Sequence, residues 1–301
     1  MIHAIIDIGS NTIRLAIYQL VQGHIDLLMK KKHLVGLASY IRNGEMSQKG
    51  IDRTVEVINE YREFLASFKI SEITAFTTAA LRNVKNSQEA VAEISRRTKT
   101  EIQVISGDDE AVYDFVGATH DLPDDDGLLI DIGGASTEIV FFRDREIVKK
   151  VSLPMGSLAF HTKYVEDILP NSDEIADMRK EAEEMLDNAH EFDGIREKHI
   201  CGIGGTFKGT TALYNRIYDL EKRNHVIAAK KLPEIIDRYR REQGIKLENT
   251  INLMKAVPER IHTIIPGMII ADVIAKKFGS EEITYSNSGV REGYIYQKIM
   301  K

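Results

Sequence analysis

The sequence predicts an α/β protein made of two similar halves, each a mixed sheet flanked by helices. The first observation is a short loop that occurs twice, at residues 4–12 and 128–137: an apolar run, an aspartate and a turn of small residues that ends in a hydroxyl. The second is the order of predicted elements, which begins again at the second loop. Strands alternating with helices form covered parallel sheets, and three leading strands form an antiparallel meander.

In the first half, three strands are predicted in succession, followed by a long helix at Ser47–Phe68. Ser47 is a favourable N-cap, and Ile51, Ile58 and Leu65 lie on one apolar stripe of this helix. The three strands are Ile2–Asp7, Thr12–Leu20 and Ile25–Leu34. The order continues with a strand at Ile73–Thr77, a helix at Ser87–Arg97, a strand at Ile102–Ile105 and a helix that begins near Asp108.

The second half repeats this order and adds helices. Strands are predicted at Leu128–Asp131, Thr137–Phe142, Glu146–Ser152, His199–Gly202 and Ile283–Ser286. Helices are predicted at Ser157–Val165, Ser172–His190, from near Thr206, and at Leu232–Arg241, Leu247–Met254, Pro266–Phe278 and Val290–Met300. Residues 121–127 combine a proline, a glycine and an acidic run, so we expect domains at 1–124 and 125–301.

Composition and charge narrow the class of protein. A chain of 301 residues is long enough for two domains, and 43% hydrophobic with 29% charged residues is ordinary for a globular protein. No segment reads as a membrane span, and the N-terminus reads as a strand rather than a targeting peptide, so a cytoplasmic protein is expected. The single cysteine, Cys201, suits a reducing compartment. A net charge of −6 argues against broad nucleic-acid binding.

The repeated loops have the composition of phosphate-binding turns. Small residues let backbone N–H groups approach phosphate oxygens, and hydroxyl or amide side chains add donors. Asp7 and Asp131 end the preceding strands, where each carboxylate could hold a metal ion through water. A third glycine loop at residues 201–208 contains Gly204 and Gly205, between a strand and a helix, which fits an anion or nucleotide contact.

Three charged residues follow strand ends or leave a loop. Arg82 could donate paired hydrogen bonds to phosphate, or it is a surface arginine. Glu110 lies where a carboxylate could take a proton from attacking water, although acids at a helix start are also explained by capping. Glu138 leaves the second loop and could reach a metal or orient water, or it is an exposed strand residue.

Together, these segments resemble the exopolyphosphatase and guanosine pentaphosphate phosphohydrolase family, within the actin-like ATPase superfamily. The resemblance is carried in order by residues 7–12, 78–83, 105–111, 131–138, 153–157, 202–206 and 288–293. It implies two actin-like (ribonuclease H-like) domains with the active site in an interdomain cleft. It also implies Mg²⁺-dependent removal of the terminal phosphate from inorganic polyphosphate, with release of orthophosphate.

The resemblance assigns roles to residues of this chain. Glu110 matches the catalytic carboxylate and is expected to be the general base, and the expected Mg²⁺ ligands are Asp7, Asp131 and Glu138. Together with the loop compositions, it gives an expected set of substrate-binding residues: Ser10, Asn11, Thr12, Arg82, Gly133, Gly134, Ser136, Thr137, Gly204, Gly205, Arg260 and Arg291.

The chain departs from the family pattern in three places. Ala135 replaces the third glycine of the second loop, where its methyl group is expected to crowd the backbone approach, and Asp109 replaces the first of two paired glutamates. The sequence also ends after the second domain, whereas long members carry further helical domains that extend the polyphosphate groove and help dimerisation. This favours short chains or nucleotide phosphates as substrates and leaves a homodimer open.

Three alternative functions follow from the same residues. One is guanosine pentaphosphate 5′-phosphohydrolase, which would use the same catalytic group on a phosphorylated guanosine nucleotide. The second is an ATPase or kinase of the wider superfamily, which Glu110 in the S-G-D-D-E-A segment argues against. The third is a non-catalytic sensor of a phosphorylated ligand, for which Ala135 leaves room.

Overall fold

The computed structural model describes residues 1–21, 24–120 and 125–300 of the chain. These residues form two compact units. Unit 1 consists of Met1–Glu110 together with the last residues from Lys298, and unit 2 consists of Ala111–Gln297. Among the described residues, no helix is both long and apolar enough to cross a membrane.

The sheet of unit 1 is mixed, in the strand order β3-β2-β1-β6-β7. β1 to β3 are antiparallel neighbours, and β6 and β7 run parallel to β1, as the sequence predicts. A separate two-stranded hairpin is formed by β4 and β5. The strands are β1 (Ile2–Ile8), β2 (Thr12–Val21), β3 (His24–Leu34), β4 (Ile41–Arg42), β5 (Glu45–Met46), β6 (Ile73–Thr77) and β7 (Ile102–Val104).

Helices cover this sheet because their apolar stripes match its buried face. Ile51, Ile58 and Leu65 of the first helix lie in the core with Ile6 and Ile13 of the sheet. The helices are α1 (Gln48–Ser67), α2 (Ala79–Arg82), α3 (Ser87–Thr98) and α4 (Gly107–Thr119). The four-residue helix α2 was not predicted, because one turn is too short for a periodic pattern.

The sheet of unit 2 repeats the arrangement and extends it, in the order β10-β9-β8-β11-β13-β12. β8 to β10 are antiparallel neighbours, β11 and β13 run parallel to β8, and β12 is antiparallel to β13. The strands are β8 (Gly127–Ile132), β9 (Thr137–Arg143), β10 (Glu146–Leu153), β11 (His199–Ile203), β12 (Val226–Ala228) and β13 (Glu282–Tyr285). β12 was not predicted, since three residues give too little alternation.

The helices of unit 2 surround a long buried helix, α10, which packs against α5, α6 and α8. The helices are α5 (Ser157–Tyr164), α6 (Ser172–Asp187), α7 (Gly204–Ile217), α8 (Leu232–Asp237), α9 (Leu247–Ala256), α10 (Ile261–Phe278) and α11 (Val290–Tyr294), with a π-helical turn at Ile295–Ile299. Two predicted helices end earlier in the structure: α6 at Asp187 and α8 at Asp237.

The predicted start of α10 was wrong, because Pro266 lies inside the helix rather than at its first position. A proline ring is tolerated best in the first helical turn, whereas Pro266 lies in the second turn of α10. The structure extends the helix back to Ile261. The apolar residues on both sides of Pro266 are fully buried, and their burial outweighs the hydrogen bond that proline cannot donate.

Helix α4 contains the point at which the chain passes from unit 1 to unit 2. Ala111, Phe115 and Ala118 of α4 pack in one cluster with residues of unit 2 such as Leu129 and Ile203. This packing explains why the compact second unit starts earlier than residue 125. The predicted boundary after residue 124 stays a prediction, since residues 121–124 lie outside the described part of the chain.

Candidate active site

The two repeated loops have the same backbone geometry. In the first loop, the N–H group of Gly9 donates to the carbonyl of Thr12 at 3.1 Å, and in the second, Gly133 donates to Ser136 at 2.9 Å. Each loop joins two antiparallel strands, β1 to β2 and β8 to β9. The duplication read from the sequence is therefore present in the backbone of both units.

The first loop holds a buried amide that the protein leaves unsatisfied. Asn11 is 6% exposed, and its Nδ2 has no hydrogen-bond partner in the part of the chain that the structure describes. The backbone carbonyl of Asn11 accepts bonds from Val35 and Gly36, so the loop is fixed in place. Buried hydrogen-bond donors nearly always have acceptors. A buried donor without an acceptor, in a loop of small residues, is suited to bind an anion. Ser10 and Thr12 flank this amide and are also buried.

The second loop is held by the start of helix α5. The N–H and Oγ of Ser157 both donate to the carbonyl of Gly133, at 2.9 and 3.0 Å. The N–H groups of Leu158 and Ala159 donate to the carbonyl of Gly134. The first amides of α5 therefore fix the loop itself, which gives the segment at residues 153–157 a structural purpose.

The side chains of the second loop differ in what they contact. The hydroxyl of Thr137 donates to the carbonyl of Met155 at 2.6 Å, and Ser136 is buried. The phosphate contacts assigned to Thr137 and Ser136 stay predictions. Ala135 is not one of the described non-glycine residues with a positive φ, so its methyl group imposes no backbone strain. The expected crowding of phosphate by this methyl group stays a prediction.

The two loop aspartates face different partners across their hairpins. Asp7 lies opposite Arg14, and its Oδ2 is 3.3 Å from Nη1 of that arginine. Asp131 lies opposite Glu138 at the equivalent position of the second hairpin. Residues directly opposite in an antiparallel pair project from the same face of the sheet. Unit 1 therefore pairs a carboxylate with a guanidinium, whereas unit 2 pairs two carboxylates.

Sequence reasoning missed Arg14. The register of a tight hairpin was the signal that could have found it, because a turn after Ile8 places residues 7 and 14 opposite each other. Its contact with Asp7 supplies that carboxylate with a positive partner. This contact makes Asp7 a weaker candidate for a metal ligand than its sequence position suggests.

The acid pair of unit 2 has the chemistry that Mg²⁺ requires. Glu138 is buried, and its Oε1 accepts a hydrogen bond from Ser152 Oγ at 2.7 Å, which orients the carboxylate. No group of three or more histidine, cysteine or acidic side chains that could hold a metal occurs among the described residues. Mg²⁺ commonly uses one or two carboxylates and completes its shell with water and substrate phosphate. Asp131 and Glu138 therefore fit such an ion.

Glu110 lies in the first turn of α4 and is buried, with 7% of its surface exposed. The turn is fixed by Ser106, whose Oγ accepts from the N–H of Asp109 at 3.0 Å and donates to the carboxylate of Asp109 at 2.7 Å. Ser106 thus caps the helix with support from the Asp109 carboxylate, while Glu110 is buried. Its Oε2 accepts a hydrogen bond from Nη1 of Arg82 at 2.6 Å. The structure brings these two predicted residues together.

The third glycine loop is crowded by two charged side chains. Gly204 has φ +79°, and a methyl group there would lie 2.3 Å from Oδ1 of Asp131. A methyl group on Gly205 would lie 2.1 Å from Nη2 of Arg260. The structure therefore places Asp131, Gly204, Gly205 and Arg260 side by side at the start of α7.

Arg291 lies in the first turn of α11, half-buried. Gly117 of α4 allows α11 to approach closely, because a methyl group on Gly117 would lie 2.2 Å from the carbonyl oxygen of Gly289. The segment at residues 288–293 thus has a packing role within unit 2. The phosphate contact predicted for Arg291 stays a prediction, as does the cleft between the domains.

Comparison with known proteins gives the same class of protein. The sequence model of the Ppx/GppA phosphatase family matches residues 16–301. A relative from Haemophilus influenzae, named as an inferred exopolyphosphatase, is 27% identical over 97% of this chain and 90% of its own length. A bifunctional 3-dehydroquinate synthase/phosphatase of Fusobacterium nucleatum is 28% identical, over 99% of this chain and 46% of that protein.

Solved structures show the same fold. An exopolyphosphatase from Cytophaga hutchinsonii superposes with a TM-score of 0.83 at 22% identity, covering 98% of this chain and 97% of that one. The Ppx/GppA enzyme of Aquifex aeolicus gives 0.75 at 24% identity, covering 99% of both chains. The predicted fold, two mixed sheets flanked by helices, is confirmed. The match to the family model over almost the whole sequence establishes that this chain belongs to the Ppx/GppA phosphatase family and is a phosphoanhydride hydrolase.

Proposed function

We propose that this enzyme is an exopolyphosphatase, which removes the terminal phosphate of inorganic polyphosphate in a Mg²⁺-dependent reaction with Glu110 as general base. The observation that carries the proposal is the buried contact between Glu110 and Arg82, 2.6 Å apart within unit 1. A carboxylate can accept a proton from water and a guanidinium can hold phosphate, and both functions serve hydrolysis of a phosphoanhydride.

The reaction follows from these groups. A water oxygen forms a bond to the terminal phosphorus while the bond from phosphorus to the bridging oxygen breaks. Glu110 accepts the proton of the attacking water, and the products are orthophosphate and a chain shorter by one phosphate. Arg82 and the amide of Asn11 hold the terminal phosphate during this step. Such catalysis depends mainly on positioning and on stabilising the charge that develops on oxygen.

The second loop supplies the complementary acids. Asp131 and Glu138 would hold Mg²⁺ together with water and phosphate oxygens. When bound, the ion neutralises charge on the transferred phosphoryl group and on the leaving oxygen. The Ser152 hydroxyl keeps Glu138 oriented, and the closely packed Gly204 leaves room for the carboxylate of Asp131. Substitution of Asp131 or Glu138 should therefore reduce turnover.

The test is the rate of orthophosphate release from tripolyphosphate by Glu110→Gln with saturating Mg²⁺. We expect kcat to fall by roughly 10²–10⁴-fold, because the variant keeps the shape of the side chain but cannot accept a proton. Asp109→Asn is the matched control: it also removes one carboxylate from the start of α4, and its remaining oxygen can still accept the bond from Ser106. Wild-type turnover by Glu110→Gln would refute the proposed base.

A further inference from the structure

The contact between Arg82 and Glu110 indicates a role for Arg82 beyond holding phosphate. We propose that Arg82 is a substrate-operated latch on the catalytic carboxylate. Without substrate, its guanidinium donates a hydrogen bond to Glu110. When the terminal phosphate binds, the guanidinium donates to the phosphate oxygens instead, and the Glu110 carboxylate can then accept a proton from water. This inference rests on the proposed function and deepens it, because it specifies how binding of the substrate is coupled to activation of the base.

The geometry gives Arg82 fixed anchors besides Glu110. Its Nε donates to Oδ1 of Asn83 at 3.1 Å, and its Nη1 donates to the carbonyl of Ile105 at 3.2 Å as well as to Glu110. The side chains of Arg82 and Glu110 are 15% and 10% exposed. Water therefore screens their attraction little, and the contact is stronger than an ion pair on the surface.

The exchange of partners is chemically reasonable because phosphate is the better partner for arginine. A guanidinium binds two phosphate oxygens side by side, and its positive charge persists whatever its partner. The anchors at Asn83 and Ile105 keep the side chain near its place, so a small rotation suffices. A carboxylate that loses a neighbouring cation becomes a stronger base. Glu110 would thus gain basicity when the phosphate has arrived.

The test is a double-mutant cycle on the binding of orthophosphate, measured by calorimetry in Mg²⁺. The proteins are wild type, Glu110→Gln, Arg82→Gln and the double variant. Removing the competing carboxylate should tighten phosphate binding by on the order of tenfold, the size of coupling expected for residues in direct contact. Arg82→Gln should weaken binding. In the Arg82→Gln background, Glu110→Gln should bring no gain, because no guanidinium remains to be released.

Two results would overturn the latch. One is phosphate affinity of Glu110→Gln equal to or below that of wild type. The other is a gain that persists without Arg82, since that would reflect simple repulsion between the carboxylate and phosphate. Asp109→Asn again serves as the control for removal of a nearby negative charge, and we expect wild-type affinity.

The same variants separate this inference from the proposed function. If Glu110→Gln turns over tripolyphosphate at the wild-type rate, the base assignment is wrong, whatever the phosphate affinities are. If its turnover falls while the cycle shows no coupling between Arg82 and Glu110, the latch is wrong and the base assignment stands. Circular dichroism of each variant checks that changes in affinity do not come from unfolding.

Discussion

At the scale of single residues, the two copies of the loop differ in the residue that lies opposite the loop aspartate. The residue opposite the loop aspartate is Arg14 in the first hairpin and Glu138 in the second. The first aspartate therefore has a positively charged partner across its hairpin, whereas the second lies opposite another carboxylate, a pairing suited to a divalent cation. The duplicated loop has become specialised, with a metal site expected in unit 2.

This asymmetry predicts how Mg²⁺ dependence responds to substitution. Asp131→Asn and Glu138→Gln should raise the Mg²⁺ concentration that gives half-maximal phosphate release by on the order of tenfold or more. Removal of an outer-shell partner alone already lowers metal affinity by this factor. Asp7→Asn should change it less, because Asp7 is already paired with Arg14. Equal shifts in all three variants would show that both loop aspartates bind the ion.

A second prediction concerns the glycine beside Asp131. Gly204→Ala should lower phosphate release by about 10²-fold, because a methyl group 2.3 Å from Oδ1 forces the carboxylate away, and small misplacements of catalytic groups carry such costs. The matched control is Gly194→Ala. Gly194 has φ +77°, close to the +79° of Gly204, but nothing lies within 4 Å of its added methyl group.

Gly194→Ala should lose about 1–2 kcal/mol of unfolding free energy, measured by urea denaturation, since it forces a side chain into the left-handed region. Gly204→Ala should lose at least as much, because its methyl group also displaces the carboxylate of Asp131. Only Gly204→Ala should also lose activity under conditions where the protein is folded. A Gly194→Ala variant that loses activity to the same extent would mean that backbone strain, not the contact with Asp131, is responsible.

At the scale of elements, the facing helices α5 and α10 contain a pair of half-buried histidines. The rings of His161 and His262 lie 5.2 Å apart. Burial lowers the pKa of both histidines. At His161 this effect is opposed by the backbone carbonyls of residues 167 and 168 and by the carboxylate of Glu174. At His262 the neighbouring His161 and Arg260 lower the pKa further. The folded protein therefore binds fewer protons here than the unfolded chain does.

The consequence is a predicted pH dependence of stability. The contribution of these histidines to unfolding free energy is fully present above the ordinary histidine pKa of 6.5 and is lost as pH falls from there toward the lowered values. His161→Gln/His262→Gln should therefore show a smaller drop in urea midpoint between pH 7.5 and pH 5 than wild type. His190→Gln, at an exposed histidine, should retain the full drop; an unchanged drop in the double variant would contradict the prediction.

The elements also show what sequence patterns can and cannot predict. The meander of β1 to β3 follows from alternating apolar residues bounded by turns, and α1 follows from its apolar stripe. Helix α2, which ends at Arg82, is too short for such a pattern, and the start of α10 was misplaced because burial overrides the usual position of proline. Short or buried elements depend on tertiary contacts that periodicity does not contain.

At the scale of the whole molecule, the duplicated loop and the repeated order of elements were sufficient to predict two mixed sheets. Sequence also predicted both members of the Arg82–Glu110 contact. It did not predict that they contact each other, nor that Arg14 pairs with Asp7, because strand register and side-chain direction determine both. Partners distant in sequence appear only once the chain is folded.

Hydrolysis of inorganic polyphosphate in ¹⁸O-labelled water tests whether Glu110 activates water for attack on the terminal phosphate. We expect orthophosphate carrying one labelled oxygen and a chain shortened from its end. This release should require Mg²⁺, stop in EDTA and nearly disappear in Glu110→Gln. Unlabelled release, release that is independent of Mg²⁺ or Glu110, or activity on guanosine pentaphosphate alone would contradict an exopolyphosphatase that uses Glu110 to activate water.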